Sequence, residues 1–260
     1  MSELSQEIPL YVVNLAGSAE RRESMRRQAD ALGLQLRFFE AVNGRQPHPL
    51  FAHVNADKRL ARKGRPFRPG EIGCWASHYL LWQQCVDSKR PMIVLEDDIV
   101  IEADFSRLLQ ALPGLPAEIG YFRLHASDDA SREWLRFGDQ ALHRYWQSPM
   151  RTLGYYLAPR AAERFLSHAQ EWTLPVDDYM DLAWLHGVEC LGVKPGVVRD
   201  AVFASTIRGE AMPKSEVGLK RTAMREGYRL WLDLRRFLHD LPARLRGPVA
   251  VPDLKPGATT

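Results

Sequence analysis

The run Met92-Ile93-Val94-Leu95 passes directly into three acids, Glu96-Asp97-Asp98. Four consecutive apolar residues, opened by Pro91, read as a strand buried on both faces. No other segment constrains the fold as much. A buried strand ending in adjacent carboxylates must deliver them to an edge where something offsets their repulsion, because that repulsion raises their pKa values. Side chains alternate along a strand, so Glu96 and Asp98 are expected on one side and Asp97 on the other. An acid-x-acid pair there is a seat for a hard divalent cation, Mn2+ or Mg2+, held by oxygen ligands. Ligands of open α/β sheets bind at that same end. The plainer alternative is a strand running into an acidic turn.

The chain before the acids reads as the start of a parallel sheet. Residues 8–15 form a first buried strand ending at Asn14. Ser18 stands where it can cap a helix to about Leu32, striped by Met25, Ala29 and Leu32 and stopped by Gly33. Leu36-Arg37-Phe38-Phe39 is the second strand, so the start is a βαβ unit. Asn43 to Pro69 reads as a long irregular stretch carrying Lys58, Arg59, Arg62, Lys63, Arg65 and Arg68 with no acid after Asp57. It is either a solvated basic loop or a mobile cover for an anionic ligand. From Gly70 to Ser88, Ile72, Trp75, Tyr79, Trp82 and Val86 recur at helical spacing, with Cys74, Leu81 and Cys85 beside them. A short helix capped by Asp104 follows the acids.

Further strands are expected at 121–125, 143–146 and 154–157, then a helix at 160–168. A second apolar-acidic segment, Leu174-Pro175-Val176-Asp177-Asp178, precedes strand-like pieces at 188–193 and 197–203. No internal repeat is present.

A chain of 260 residues, 45% apolar and with seven Trp, supports one α/β domain with a real core. A net charge of +3 is too small to point to nucleic acid. Cys74, Cys85 and Cys190 are odd in number and unpaired in spacing, which argues against a disulfide framework or a zinc ribbon. Cys74 and His78 stand one helical turn apart with no second ligand pair, so a zinc site is not expected. The polar start, Ser2-Glu3 and Ser5-Gln6-Glu7, does not read as a signal peptide, and no apolar run nears the ~20 residues of a membrane span. A soluble, cytoplasmic protein is the expectation.

Four ordered segments resemble glycosyltransferase family 25, the lipooligosaccharide galactosyltransferase-like enzymes. They are Val13-Asn14-Leu15 with Arg21-Arg22, Gly70 to His78, Val94 to Asp98, and Pro175-Val176-Asp177. Gly154 to Leu157 and Ser205-Thr206-Ile207 are weaker members. Two features depart from the pattern: the acid triplet starts with Glu, and no Gln precedes Ser-Thr-Ile. The resemblance implies a GT-A-like nucleotide-sugar transferase fold, a mixed, mostly parallel sheet flanked by helices, over residues 1–212.

Such a reaction must stabilise a diphosphate leaving group, which a divalent metal does as a Lewis acid. Asp98 with Glu96 would hold the metal, with Asp97 assisting at the donor. An acceptor hydroxyl needs a base, assigned to Asp177 with Asp178 as the fallback. The alternative for Asp177 is a helix N-cap. Asn14 reads a uracil edge or ribose hydroxyls, or makes an Asx-turn. Arg21 and Arg22 reach the nucleotide or are surface charges. Glu71 and His78, two turns apart, form either a structural pair or a substrate contact beside the donor pocket.

Residues 213–250 interleave Lys220, Arg221, Arg225, Arg229, Arg235, Arg236 and Arg244 with Tyr228, Trp231 and Phe237. This basic helical extension suits an anionic membrane surface, or it packs on the domain. A tail, 251–260, follows. The reading is therefore a metal-dependent hexosyltransferase that moves galactose from UDP-galactose to a lipid-linked saccharide, with inversion. A pyrophosphorylase-like nucleotide-sugar enzyme and an inactive saccharide-binding module are the alternatives.

Overall fold

The computed structural model describes residues 8–147, 149–201, 219–245 and 253. Ser205-Thr206-Ile207, the last two residues (202–203) of the expected strand at 197–203 and the expected tail other than Asp253 lie outside them. The chain opens with strand β1 (Leu10–Asn14), helix α1 (Ala19–Leu32) and strand β2 (Leu36–Glu40). Gly33 ends α1 at a φ of +64°, a left-handed position that glycine takes without steric cost. Ser18 sits at the cap position, but its backbone is not extended and its side chain makes no cap bond.

The expected irregular stretch is in part regular. It holds a 3₁₀ turn, Pro49–His53, and helix α2 (Ala56–Lys63). The Asn55 side chain caps α2 by accepting from the Lys58 amide at 2.9 Å. The next elements are α3 (Pro69–Ser88), β3 (Met92–Glu96), β4 (Ile99–Ile101), α4 (Phe105–Ala111), β5 (Tyr121–Arg123), β6 (Ser131–Phe137), β7 (Gln140–Tyr145) and β8 (Gly154–Leu157). Then come α5 (Pro159–His168), α6 (Val176–Met180), α7 (Ala183–His186), β9 (Leu191–Lys194), β10 (Val198–Asp200) and α8 (Leu219–Leu245). Sequence reading missed β4 and β6. The first, though wholly apolar, is only three residues long and follows the acids directly, and the second is half-exposed over most of its length with no clean alternation.

Eight strands form one sheet in the order β2-β1-β3-β8-β5-β9-β7-β6. Six of them run the same way and β8 and β7 run opposite, so the sheet is mixed but mostly of one direction. Helices cover both faces. Along β3 the pleat sends Ile93 and Leu95 into the core with α1 and α4, and Met92 and Val94 into the core with α3 and α5. The second core is rich in aromatics: Trp75 stacks on Trp172 at 4.7 Å and lies 5.7 Å from Trp82.

Two contacts fix the start of α3. Glu71 reaches back to accept from the Arg68 amide at 2.8 Å, half of a capping box. A Cβ on Gly73 would lie 2.4 Å from the Val42 carbonyl oxygen, so the loop after β2 crosses α3 in backbone contact. Ser77 secures that crossing by accepting from the Val42 amide at 2.9 Å and donating to the Gly73 carbonyl at 2.7 Å. The helix that passes beneath the acids is thereby fixed in register with the sheet edge.

Candidate functional site

The parallel pairing of β1 with β3 sets Val13 opposite Glu96, so Asn14 and the acids emerge at one sheet edge. The antiparallel β8 pairs Gly154 with Leu95, which brings Thr152 and Arg151 to that edge from the other direction. Helix α6 completes the group with Asp177 and Asp178 in its first turn. Asp177 is not the cap of α6: the helix begins one residue earlier, after Pro175.

The pleat expectation holds for Glu96 and Asp97, which point to opposite faces, and fails at Asp98, because the strand stops at Glu96. Glu96 follows Val94 onto the α3 face, where Thr152 donates to it and His78 Nε2 lies 4.0 Å away. Asp97 turns to the α1 face. Asn14 donates to it at 2.7 Å and Arg21 at 3.0 Å. Asp98, already in the turn, shares that same Arg21 at 3.5 Å. One arginine thus tethers two neighbouring carboxylates that strict alternation would have separated.

Each remaining candidate has a definite place. The second amide proton of Asn14 goes to the Ser18 carbonyl at 3.2 Å, so its donors hold the acid turn instead of facing a ligand. The Arg22 guanidinium lies over Phe38 at 4.4 Å, on β2. Glu71 and His78 do not pair. Seven helical residues rise about 10 Å, beyond the reach of these side chains. Glu71 instead takes Arg59 at 3.1 Å and Arg65 at 2.7 Å. Burial alone would raise the Glu71 carboxyl; the Arg65 and Arg68 hydrogen bonds and the Arg59 charge outweigh it and hold it low. Asp178 pairs with Lys63, and Lys58 pairs with Glu171 at 2.7 Å. Much of the basic run is therefore consumed by ion pairs within the fold.

His78 is fully buried, and burial, then Arg123, pushes it down to about 3, so it is neutral. Its Nδ1 is 2.8 Å from the Tyr155 hydroxyl, which also accepts from the Trp82 indole at 3.1 Å. The indole can only donate, so Tyr155 offers its own proton to Nδ1 and the ring proton falls on Nε2, facing Glu96.

Carboxylate crowding dominates the electrostatics. Burial, then Asp98 and Asp177, lift Glu96 to about 7 against the Thr152 hydrogen bond and Arg151. Burial is also the main cause raising Asp98 and Asp177; Asp178 adds to the latter. Burial, then Glu96 and Asp177, keep the Cys74 thiol protonated, so it is no nucleophile. Asp98 Oδ1 is buried with no hydrogen-bond partner, while Arg21 holds Oδ2. An orphaned carboxylate oxygen beside a half-buried glutamate of raised pKa fits a hard cation, and Glu96 with Asp98 would hold it.

A further donor set was hidden from the sequence. Cys74, His78 and Glu96 each offer one atom within 4.8 Å of the others, because β3 supplies the third group that spacing along α3 lacks. Three groups had no sequence signal. Arg123, fully buried, donates to the Asp177 carbonyl at 3.2 Å and to Asp181 at 2.6 Å. Arg151 has a φ of +85°, gives its amide to Asp177 Oδ2 at 3.1 Å and pairs through its guanidinium with Asp200. Thr152 sits between Glu96 and Cys74.

Residues 7–180 match the model of a family described as glycosyltransferase family 25 (LPS biosynthesis protein). A glycosyltransferase 25 family member of Aedes aegypti is 32% identical over 197 residues, covering 66% of this chain and 30% of that protein. Procollagen galactosyltransferase 1 of Danio rerio is 28% identical over 192 residues, covering 67% and 31%. A Bos taurus protein described as a probable inactive glycosyltransferase 25 family member 3 is 28% identical over 189 residues, covering 66% and 31%. The chain thus spans less than a third of the length of these relatives. The matched region contains Glu96, Asp97, Asp98, Asp177 and Asp178 and ends before α8.

Proposed function

The chain belongs to glycosyltransferase family 25, and from that premise we propose that it transfers a hexose from a UDP-sugar to a saccharide hydroxyl. Galactose is the proposed sugar, supported by the similarity to a procollagen galactosyltransferase. A lipooligosaccharide-type, lipid-linked acceptor is proposed from the family description, reached at the cytoplasmic face of a membrane. The observation that carries the reading is the convergence of Glu96, Asp98 and Asp177 from β3, the turn after it and α6.

In this proposal Glu96 and Asp98 hold a divalent cation, Mn2+ or Mg2+, which when bound offsets the charge that develops on the diphosphate leaving group. Arg21 and Asn14 keep the acid turn in place, so Asp98 presents its free oxygen without reorganising. Asp177 takes the proton of the attacking hydroxyl. The Arg151 amide orients its carboxylate, and its raised pKa brings it nearer the working pH, which favours a general base. A base distinct from the leaving-group side is consistent with inversion. Asp178, bound to Lys63, is a positioning group in this scheme.

The relative described as probably inactive makes a non-catalytic saccharide-binding module the competing reading; the full acid set favours the enzyme. A panel of UDP-sugars with Mn2+ separates the two. Turnover of UDP-galactose is expected, and its absence with every sugar supports the module. Asp98→Asn should weaken Mn2+-dependent UDP binding as well as turnover. Asp177→Asn should lower the rate by about 10²–10⁴-fold with UDP-galactose binding intact. Equal loss of binding and rate at Asp177 would remove it from the role of base.

A further inference from the structure

We infer that the outward face of α8 is a docking surface for an anionic lipid bilayer. Eleven large hydrophobic side chains are exposed among the described residues, and seven of them lie on this one helix. Leu230 is 70% exposed, Leu234 55% and Leu238 53%, with Trp231 and Phe237 between them nearly as open. At about 100° per residue, these positions fall on one stripe roughly 120° wide. The opposite stripe, with Tyr228 and Leu232, already packs on the aromatic core. A helix that merely covers a domain needs one apolar face; α8 has a second that stays exposed among the described residues.

Charge selects the occupant. Residues 214–246 contain nine Lys or Arg against four acids, an excess larger than the net +3 of the whole chain. On α8, Arg225 and Arg236 are offset by Glu226 and Asp233. Arg229 and Arg235 have no carboxylate within ion-pair distance among the described residues and flank the apolar stripe. A cationic border around exposed Leu, Trp and Phe matches an interfacial helix on anionic headgroups. A second copy of the chain would bring the same cations against each other.

The position suits the acceptor, and this part rests on the function proposed above. Helix α8 packs on α2: Arg62 lies 4.7 Å from the Tyr228 ring, and the next residue, Lys63, binds Asp178 beside Asp177. A bilayer under α8 would thus meet the molecule at the helix that packs on α2, the element whose Lys63 binds Asp178.

Co-sedimentation of the full chain with phosphatidylcholine vesicles, with and without phosphatidylglycerol, tests the inference. Binding should require the anionic lipid and weaken with salt. Arg229→Ala with Arg235→Ala should reduce partition roughly 25-fold, at about fivefold per cation. Leu234→Ser with Phe237→Ser should abolish binding while circular dichroism and Mn2+-dependent UDP-sugar hydrolysis in solution stay unchanged. Equal partition of wild type and both variants would overturn the inference. So would a dimer in sedimentation velocity that the Leu234→Ser, Phe237→Ser pair dissolves, since the face would then be a subunit contact. Vesicle binding without any sugar transfer would defeat the proposed function and leave the docking surface standing; hydrolysis without vesicle binding would do the reverse.

Discussion

Glu96 and Asp98 are separated by one residue but held in different settings. Glu96 shares the α3 face with a neutral histidine and a protonated thiol, whereas Asp98 shares an arginine with Asp97. The result is a glutamate near 7 instead of the ordinary 4.5. The sign of the consequence is definite. In metal-free buffer below about pH 4.5, Glu96 is protonated both folded and unfolded and contributes nothing. Between there and about 7, only the unfolded chain gives up the proton, so stability falls as pH rises. Glu96→Gln, which cannot ionise, should therefore gain on the wild type across that window and hold its advantage above it. The gain should be on the order of 3 kcal/mol. Urea unfolding at several pH values with a chelator present measures it, and a pH-independent difference would show that Glu96 titrates normally.

Helix α3 shows how one element carries both packing and chemistry. Its indoles and Cys85 fill the aromatic core, its first turn is fixed by Glu71, and the interval Cys74 to His78 lies beneath the acids. Within the segment that resembles the family, Gly73 and Ser77 have a packing role: one permits and the other secures the backbone crossing at Val42. Gly73→Ala would put a methyl where a carbonyl oxygen and the Gly44 amide stand 2.4 and 2.8 Å away, so the loop must move. Overpacking of this kind costs about 1–3 kcal/mol, or roughly 2–4 °C of Tm per kcal/mol at this size. Thermal unfolding of Gly73→Ala should show that loss. An unchanged Tm would mean the crossing is loose and does not set the register of α3.

At the scale of the molecule, acid lability follows from where the histidines are. Burial pushes His78, His125 and His186 each down to about 3, with Arg123 adding to the effect at the first two. The fold keeps them neutral, while the unfolded chain binds protons below about 6.5. Their contribution is complete above that pH and is lost as pH falls toward 3. Each adds a slope of up to about 1.4 kcal/mol per pH unit; Glu96, Asp98, Asp177 and Asp240, raised by burial, oppose it, while Glu71 and Glu189, held low by their cationic partners, add to it. Stability measured by urea unfolding should therefore decline from pH 6.5 to 4. A flat profile would mean that the histidines are charged in the folded protein.

Periodicity settled much of this before any contact was known. Alternation and helical spacing depend on neighbours along the chain, so β1, α1, β2, α3, β3 and α5 were legible within a residue or two. The position of the acids at a strand end was legible for the same reason. Tertiary structure decided what each polar side chain does, because its partner lies far away in sequence: Asp97 with Asn14, Glu96 with Thr152, Asp178 with Lys63. It turned the basic stretch before α3 into α2 and its ion pairs, and it gave Cys74 and His78 a third neighbour from β3. It also distinguished two apolar stripes on α8 that a sequence shows only as one oily, basic helix. Which stripe is buried depends on the surface beneath it, and that surface is assembled from α2, α7 and the sheet.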